Sequence, residues 1–130
     1  MKRRILIVHG PPSEQAVEVI LARHSDGDEL VVVAPALLGR LRYWTSDDGQ
    51  ARQTAASRVD EWIAALTAGS VQAHGHIGDP APLQAIADEI SSTNPDEVVI
   101  VPPPSKVNWQ ARDLVERARR RFAVPIAHAA

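Results

Sequence analysis

Residues 96–128 read DEVVIVPPPSKVNWQARDLVERARRRFAVPIAH, and the succession of strand, loop, helix and strand within them decides the fold. Glu97 to Val101 is a short, unbroken run of mostly Val and Ile, the pattern of a strand buried on both faces. Pro102, Pro103 and Pro104 end it, because none can donate an N–H to a ladder. Asn108 offers an N-cap to a helix whose Ala111, Leu114, Val115, Ala118 and Phe122 recur at helical spacing. Val124 to Ala127 then returns as a short apolar strand.

The preceding residues repeat the same alternation. Ile5 to Val8 predict a first buried strand, closed by His9-Gly10-Pro11-Pro12. Ser13 caps a helix with Ala16, Val17, Ile20 and Leu21 on one stripe, and Asp26-Gly27 turns the chain into a second strand, Leu30 to Ala34. Pro35 to Thr45 is a longer connection. From Ser46, with Asp47 and Asp48 favoured by the helix dipole, a helix is expected to about Ala68. Its inward face is Ala55, Val59, Trp62, Ile63 and Leu66, and Gly69 is expected to end it. Val71 to Ile77 alternates apolar with polar residues, which predicts a third strand at a sheet edge. Gly78-Asp79-Pro80 leads into a helix with Leu83, Ile86, Ala87 and Ile90 inward, and Asn94-Pro95-Asp96 precedes the fourth strand.

The resulting order is βαβαβαβαβ. It predicts a single α/β domain over residues 1–130, a Rossmann-like five-stranded parallel sheet with helices on both faces and right-handed crossovers. One domain suits 130 residues, a length that buries roughly two-thirds of the unfolded surface without staples. The formal net charge of −2 offers no general attraction for nucleic acid or an acidic membrane. With no cysteine there is neither a disulfide nor a thiol nucleophile. The apolar run after the basic start MKRR stops at Val8, too short for a signal peptide, and no run approaches the roughly 20 residues of a membrane span. A cytoplasmic protein is expected, with neither nucleic acid nor membrane as partner.

In such sheets ligands sit at the carboxyl ends of the strands, where the strand order reverses. That places a crevice between His9 to Pro12 and Pro102 to Asn108. The candidate ligand-binding residues are His9 and Gly10 after the first strand, Ala34 at the end of the second, Gly78 and Asp79 after the third, and Ser105, Lys106 and Asn108 after the fourth. Asp79 can reach a ribose hydroxyl or serve as N-cap of a helix beginning at Pro80. Ser105, Lys106 and the helix start after Asn108 suit a small anion through hydroxyl, point charge and dipole.

Three segments resemble the universal stress proteins: GHIGDPAPLQAIADEI from Gly75, PDEVVIV from Pro95, and LVERARRRFAVPIAH from Leu114 with its Val124-Pro125-Ile126 ending. The resemblance implies the five-stranded fold of that family, grouped with adenine nucleotide alpha hydrolase-like domains, and a homodimer paired through the C-terminal strand. In some branches it implies an adenine nucleotide as ligand. Nucleotide-binding members hold phosphate with a loop of Gly, two residues, Gly, nine residues and Gly-Ser or Gly-Thr. The matching stretch here, PPPSKVNWQARD, contains no glycine, and the Gly-Ser/Thr pair falls on Arg112-Asp113. Three prolines remove three N–H donors from the anion nest. The family's acidic residue at the end of strand one is replaced by His9-Gly10. The expectation is a degenerate nucleotide site in a non-enzymatic stress-response domain that requires no cofactor. The alternative is a nucleotide binder or weak hydrolase in which Lys106, His9 and the dipole at Asn108 rebuild the phosphate contacts.

Other residues divide between ordinary and functional readings. His74 and His76 share one face of an edge strand, so they are a solvated pair or two ligands of zinc or copper, and the sequence suggests no third ligand. No metal site is expected. Arg117, Arg119, Arg120 and Arg121 suggest RNA or complement a helix C-terminus, and Asp113 and Glu116 interrupt the cluster in favour of the second. Trp62 fits a core stripe, whereas Trp44 and Trp109 stand in a loop and at a helix start, where an indole covers a crevice or forms an interface. Receiver-domain acids, a Gly-x-Ser-x-Gly turn, a P-loop and a dinucleotide fingerprint are all lacking, and no catalytic residue is assigned.

Overall fold

The computed structural model describes residues 2–36, 48–101 and 109–129, with the side chains of 48–50 and 109–111 outside that description. Five strands and four helices alternate: β1 (Arg3–Val8), α1 (Glu14–Arg23), β2 (Glu29–Pro35), α2 (Asp48–Ala68), β3 (His74–Gly78), α3 (Pro82–Thr93), β4 (Glu97–Val101), α4 (Trp109–Arg121) and β5 (Ile126–His128). The strands form one parallel sheet in the order β3-β2-β1-β4-β5. The expected α/β architecture is therefore present, with β3 at one edge.

Alternation along each strand divides the core between two faces. Leu6, Val8, Val32, Ala34, Val99 and Val101 lie under α1 and α2, with Ala16, Ile20, Ala55, Val59, Trp62 and Leu66 packed on them. Ile5, Ile7, Val31, Val33, Val98 and Ile100 lie under α3 and α4, with Ala85, Ile86, Val115 and Ala118. The inner strands are apolar and buried from Ile5 to Val8, Leu30 to Pro35 and Val98 to Val101, because both of their faces are covered there.

Several boundaries move for local reasons. Ser13 caps α1 as expected, its Oγ accepting the Ala16 N–H at 3.1 Å. Pro35 is the last residue of β2 rather than the start of the connection, a position where its missing N–H costs the ladder nothing. The residue in the left-handed region after α2 is Ser70 (φ 66°), not Gly69. Gly69 instead lies against α1, where a Cβ would lie 2.6 Å from Leu21 Cδ1, the end of a flexible side chain.

Pairing of β3 starts at His74, because the Val71 N–H is spent on the Leu66 carbonyl (3.0 Å) that closes α2. Helix α3 begins at Pro82 with Ala81 as N-cap, so Asp79 is not its cap. The face of α3 also turns: Ala85 and Glu89 are buried where Ala87 was expected. At the other edge, β5 spans Ile126–His128 rather than Val124 to Ala127. Pro125 donates nothing, and its carbonyl takes the Val98 N–H at 2.9 Å, so pairing starts one residue later. No described helix is long and apolar enough to cross a membrane.

Candidate functional site

The strand order reverses between β1 and β4, and the His9 N–H donates to the Val101 carbonyl at 3.2 Å where these two strands end. Helix α2 holds the loop that follows β1. Arg58 donates through Nη1 to the His9 carbonyl at 3.2 Å, and the buried indole of Trp62 donates to the Gly10 carbonyl at 2.8 Å. Arg58 and Trp62 are one helical turn apart, so a single face of α2 secures two consecutive carbonyls.

The His9 side chain is mostly enclosed. Its Nε2 is buried and finds no hydrogen-bond partner among the described residues. Burial pushes its pKa below the ordinary histidine value, the Val101 carbonyl opposes that shift, and the Arg58 charge adds to it. Its surroundings therefore favour the neutral imidazole, which donates through one ring nitrogen and accepts through the other.

A second concavity opens beyond β2 and β3. It has a volume of about 370 Å³ and is lined by Ala36, Ala51, Arg52, Gly78, Asp79 and Asp88, among others. Asp79 is exposed, and its Oδ1 accepts the Ala81 N–H at 2.8 Å in a turn ahead of α3. Gly78 is glycine for steric reasons: a Cβ would lie 2.7 Å from Val33 Cγ1 and 3.1 Å from Ala85 Cβ.

The fold thus separates the predicted residues. His9 and Gly10 sit at the β1–β4 switch, whereas Gly78 and Asp79 border the outer cleft with β2 intervening, two strand spacings or about 9–10 Å away. Ala34 is 1% exposed, its side chain in the core under α2. Ser105, Lys106 and Asn108 lie outside the described residues, as do Pro102 to Pro104, Ser46, Trp44 and the Trp109 side chain. Arg52 and Arg58 were not foreseen. The i, i+4 spacing of Arg58 and Trp62 was visible, but not that both reach the β1 loop.

Remaining candidates take ordinary places. Arg117 pairs with Asp113 at 3.8 Å and Arg120 with Glu116 at 4.0 Å on an exposed helix surface. Arg119 Nε donates to the Ile126 carbonyl at 3.1 Å and so ties α4 to β5. Among the described residues no three His, Cys, Asp or Glu side chains stand close enough together to hold a metal ion.

No protein-family model matches the sequence, and no curated protein matches it significantly. Solved structures do match over nearly the whole chain. A universal stress protein from Archaeoglobus fulgidus is 17% identical with TM-score 0.66, covering 100% of this chain and 95% of its own. A universal stress protein family member from Burkholderia pseudomallei is 15% identical with TM-score 0.67, covering 98% and 96%. One from Arabidopsis thaliana, solved with AMP bound, is 11% identical with TM-score 0.63, covering 98% and 90%. At these identities the likeness is one of fold.

Proposed function

We propose that this chain, a universal-stress-protein-like α/β domain by its fold, is a non-enzymatic regulatory domain of the cytoplasm with a weakened nucleotide site, acting as a homodimer. The observation that carries the reading is the state of the loop after β1. The carbonyls of His9 and Gly10 are already engaged by Arg58 and Trp62, and the side chain offered there is a neutral imidazole. An adenine amino group or ribose hydroxyl arriving there meets neither a carboxylate nor an uncommitted carbonyl of these two residues, which lowers the affinity expected of the site. The glycine-free stretch from Pro102 to Asp113 points the same way.

A binding role also suits the separation of His9 from Asp79. A nucleophile and its base must lie within hydrogen-bond reach, and β2 intervenes between these two positions. The dimer reading is supported by β5, a three-residue strand at the sheet edge opposite β3. Edge strands of this kind are commonly covered or paired.

The second reading, binding of an adenine nucleotide, is favoured by the AMP in the Arabidopsis structure of the same fold. Calorimetric titration of nucleotide-stripped protein with Mg-ATP, ADP and AMP separates the two. No heat at millimolar nucleotide, from protein shown to be folded, is the expected result. A dissociation constant in the low micromolar range overturns the weakened-site reading and turns attention to His9, Arg58 and Lys106. Sedimentation of the folded wild type over a range of concentrations tests the dimer, and the mass of a single chain at every concentration overturns it.

A further inference from the structure

His74 and His76 of β3 register with Val31 and Val33 of β2, whose side chains belong to the core on the α3 and α4 side of the sheet. Both imidazoles therefore project on that side. Facing His76, Glu89 of α3 is only 4% exposed, the one polar or charged residue among the buried residues described. Its Oε1 meets His76 Nε2, while its Oε2 is buried with no hydrogen-bond partner among the described residues. A carboxylate removed from water is costly unless both oxygens are engaged. A half-exposed histidine on one oxygen leaves that cost largely uncompensated.

We propose that His76 and Glu89 are two ligands of a divalent transition-metal ion, zinc by its ligand chemistry, and that His74 is the third. Imidazole nitrogen and carboxylate oxygen both bind zinc at about 2.0–2.2 Å, and three protein ligands with an open fourth position make a common zinc geometry. A cation between His76 and Glu89 engages the carboxylate that burial otherwise penalises. Since no three such side chains stand together as the described residues lie, the third ligand must come from one that turns. His74 is suited to do so. Its side chain is 69% exposed and is held by Glu29 at 3.7 Å, a surface pair of little strength. Residues two apart on a strand are about 7 Å apart, within the combined reach of two imidazoles. The site lies away from the β1–β4 crevice and does not depend on the proposed function.

The test uses the untagged full chain, stripped with a chelator, titrated with zinc by calorimetry and with cobalt(II) by visible absorption. One ion per chain is expected, with cobalt bands of tetrahedral intensity. His76→Asn, Glu89→Gln and His74→Asn should each weaken zinc binding by more than the roughly 10–100-fold that outer-shell changes cost, and His24→Asn should leave it unchanged. Folding of each variant is checked by circular dichroism. His74→Asn keeps the test decisive if Glu89→Gln does not fold, because His74 is exposed and outside both core clusters. Absence of heat and of cobalt bands at millimolar metal overturns the proposal, and so does zinc binding that survives His76→Asn or His74→Asn.

Discussion

The Trp62 indole, 0% exposed, donates its only N–H to the Gly10 carbonyl at 2.8 Å. One side chain thus fills the core under α2 and fixes the loop that follows β1. Trp62→Phe keeps most of the ring volume and leaves the carbonyl unpaired, so it should cost about 1–3 kcal/mol. Trp62→Ala adds a cavity and should cost about 3–5 kcal/mol. Urea unfolding followed by circular dichroism measures both. A Phe variant as stable as wild type would show that the hydrogen bond contributes little beyond the packing.

At the opposite end of the sheet Asp28 is held ionised. The amide of Lys2 donates to it at 2.9 Å, the amide of Ser25 at 3.0 Å, and Arg4 Nη1 lies 2.8 Å away. These contacts depress its carboxyl well below the ordinary carboxylate value. A folded-state pKa below the unfolded 3.8 gives stability that is complete above that value and is lost as pH falls further. The acid limb of the unfolding curve should therefore steepen below about pH 4. Asp28→Asn should lower the neutral-pH urea midpoint and flatten that limb. An unchanged acid limb would mean that other carboxylates set it.

Two histidines act in the opposite region of pH. Burial and Arg58 depress His9, whereas burial followed by Arg112 and Arg119 depresses His128. Both stay neutral in the fold below 6.5, where the unfolded chain already takes up the proton. Stability should be level above that value and fall as pH drops through it, until the depressed folded values are reached. His9→Gln and His128→Gln should each remove part of this fall. Urea midpoints taken at half-unit steps from about pH 5 to 8 would show it. A slope that neither variant alters would place its origin elsewhere.

The sheet was legible because its signal is redundant. Ile5 to Val8, Leu30 to Ala34 and Val98 to Val101 are apolar at consecutive positions, and runs this short bounded by turn residues suit a strand covered on both faces. The inward stripe of α2 was legible for a similar reason, with Ala55, Val59, Trp62 and Leu66 all buried. What local pattern left open is how elements meet. The rotation of α3 depends on Ala85 docking over Gly78, so the burial of Glu89 could not be read from periodicity that marked Ile86 and Ile90. Asp79 before two prolines looks like a cap, yet its carboxylate closes a turn onto Ala81 instead. The clamp of Arg58 and Trp62 on the β1 loop joins residues 49 and 52 positions apart, beyond any local rule. The place of His9 at the end of β1 was predictable, whereas the burial of its side chain follows from tertiary packing.

Two glycines test how far steric approach, rather than backbone handedness, fixes the packing of α2. A Cβ on Gly75 would run into the Val32 carbonyl oxygen and lie 2.9 Å from Val59 Cγ1. The carbonyl belongs to the β2–β3 ladder and cannot move without breaking it, because Gly75 and Val32 are register partners. The atoms nearest a Cβ on Gly69 are the Cδ1, Cδ2 and Cγ of Leu21, a partly buried side chain that can change rotamer. Gly75→Ala should therefore cost about 1–3 kcal/mol or more, as overpacking against a rigid neighbour does. Gly69→Ala should stay within about 0.5 kcal/mol of wild type. Urea midpoints of the two variants, measured side by side, check the contrast. Equal losses would mean that Leu21 is as immovable as the strand, and that α1 and α2 are locked together at their ends.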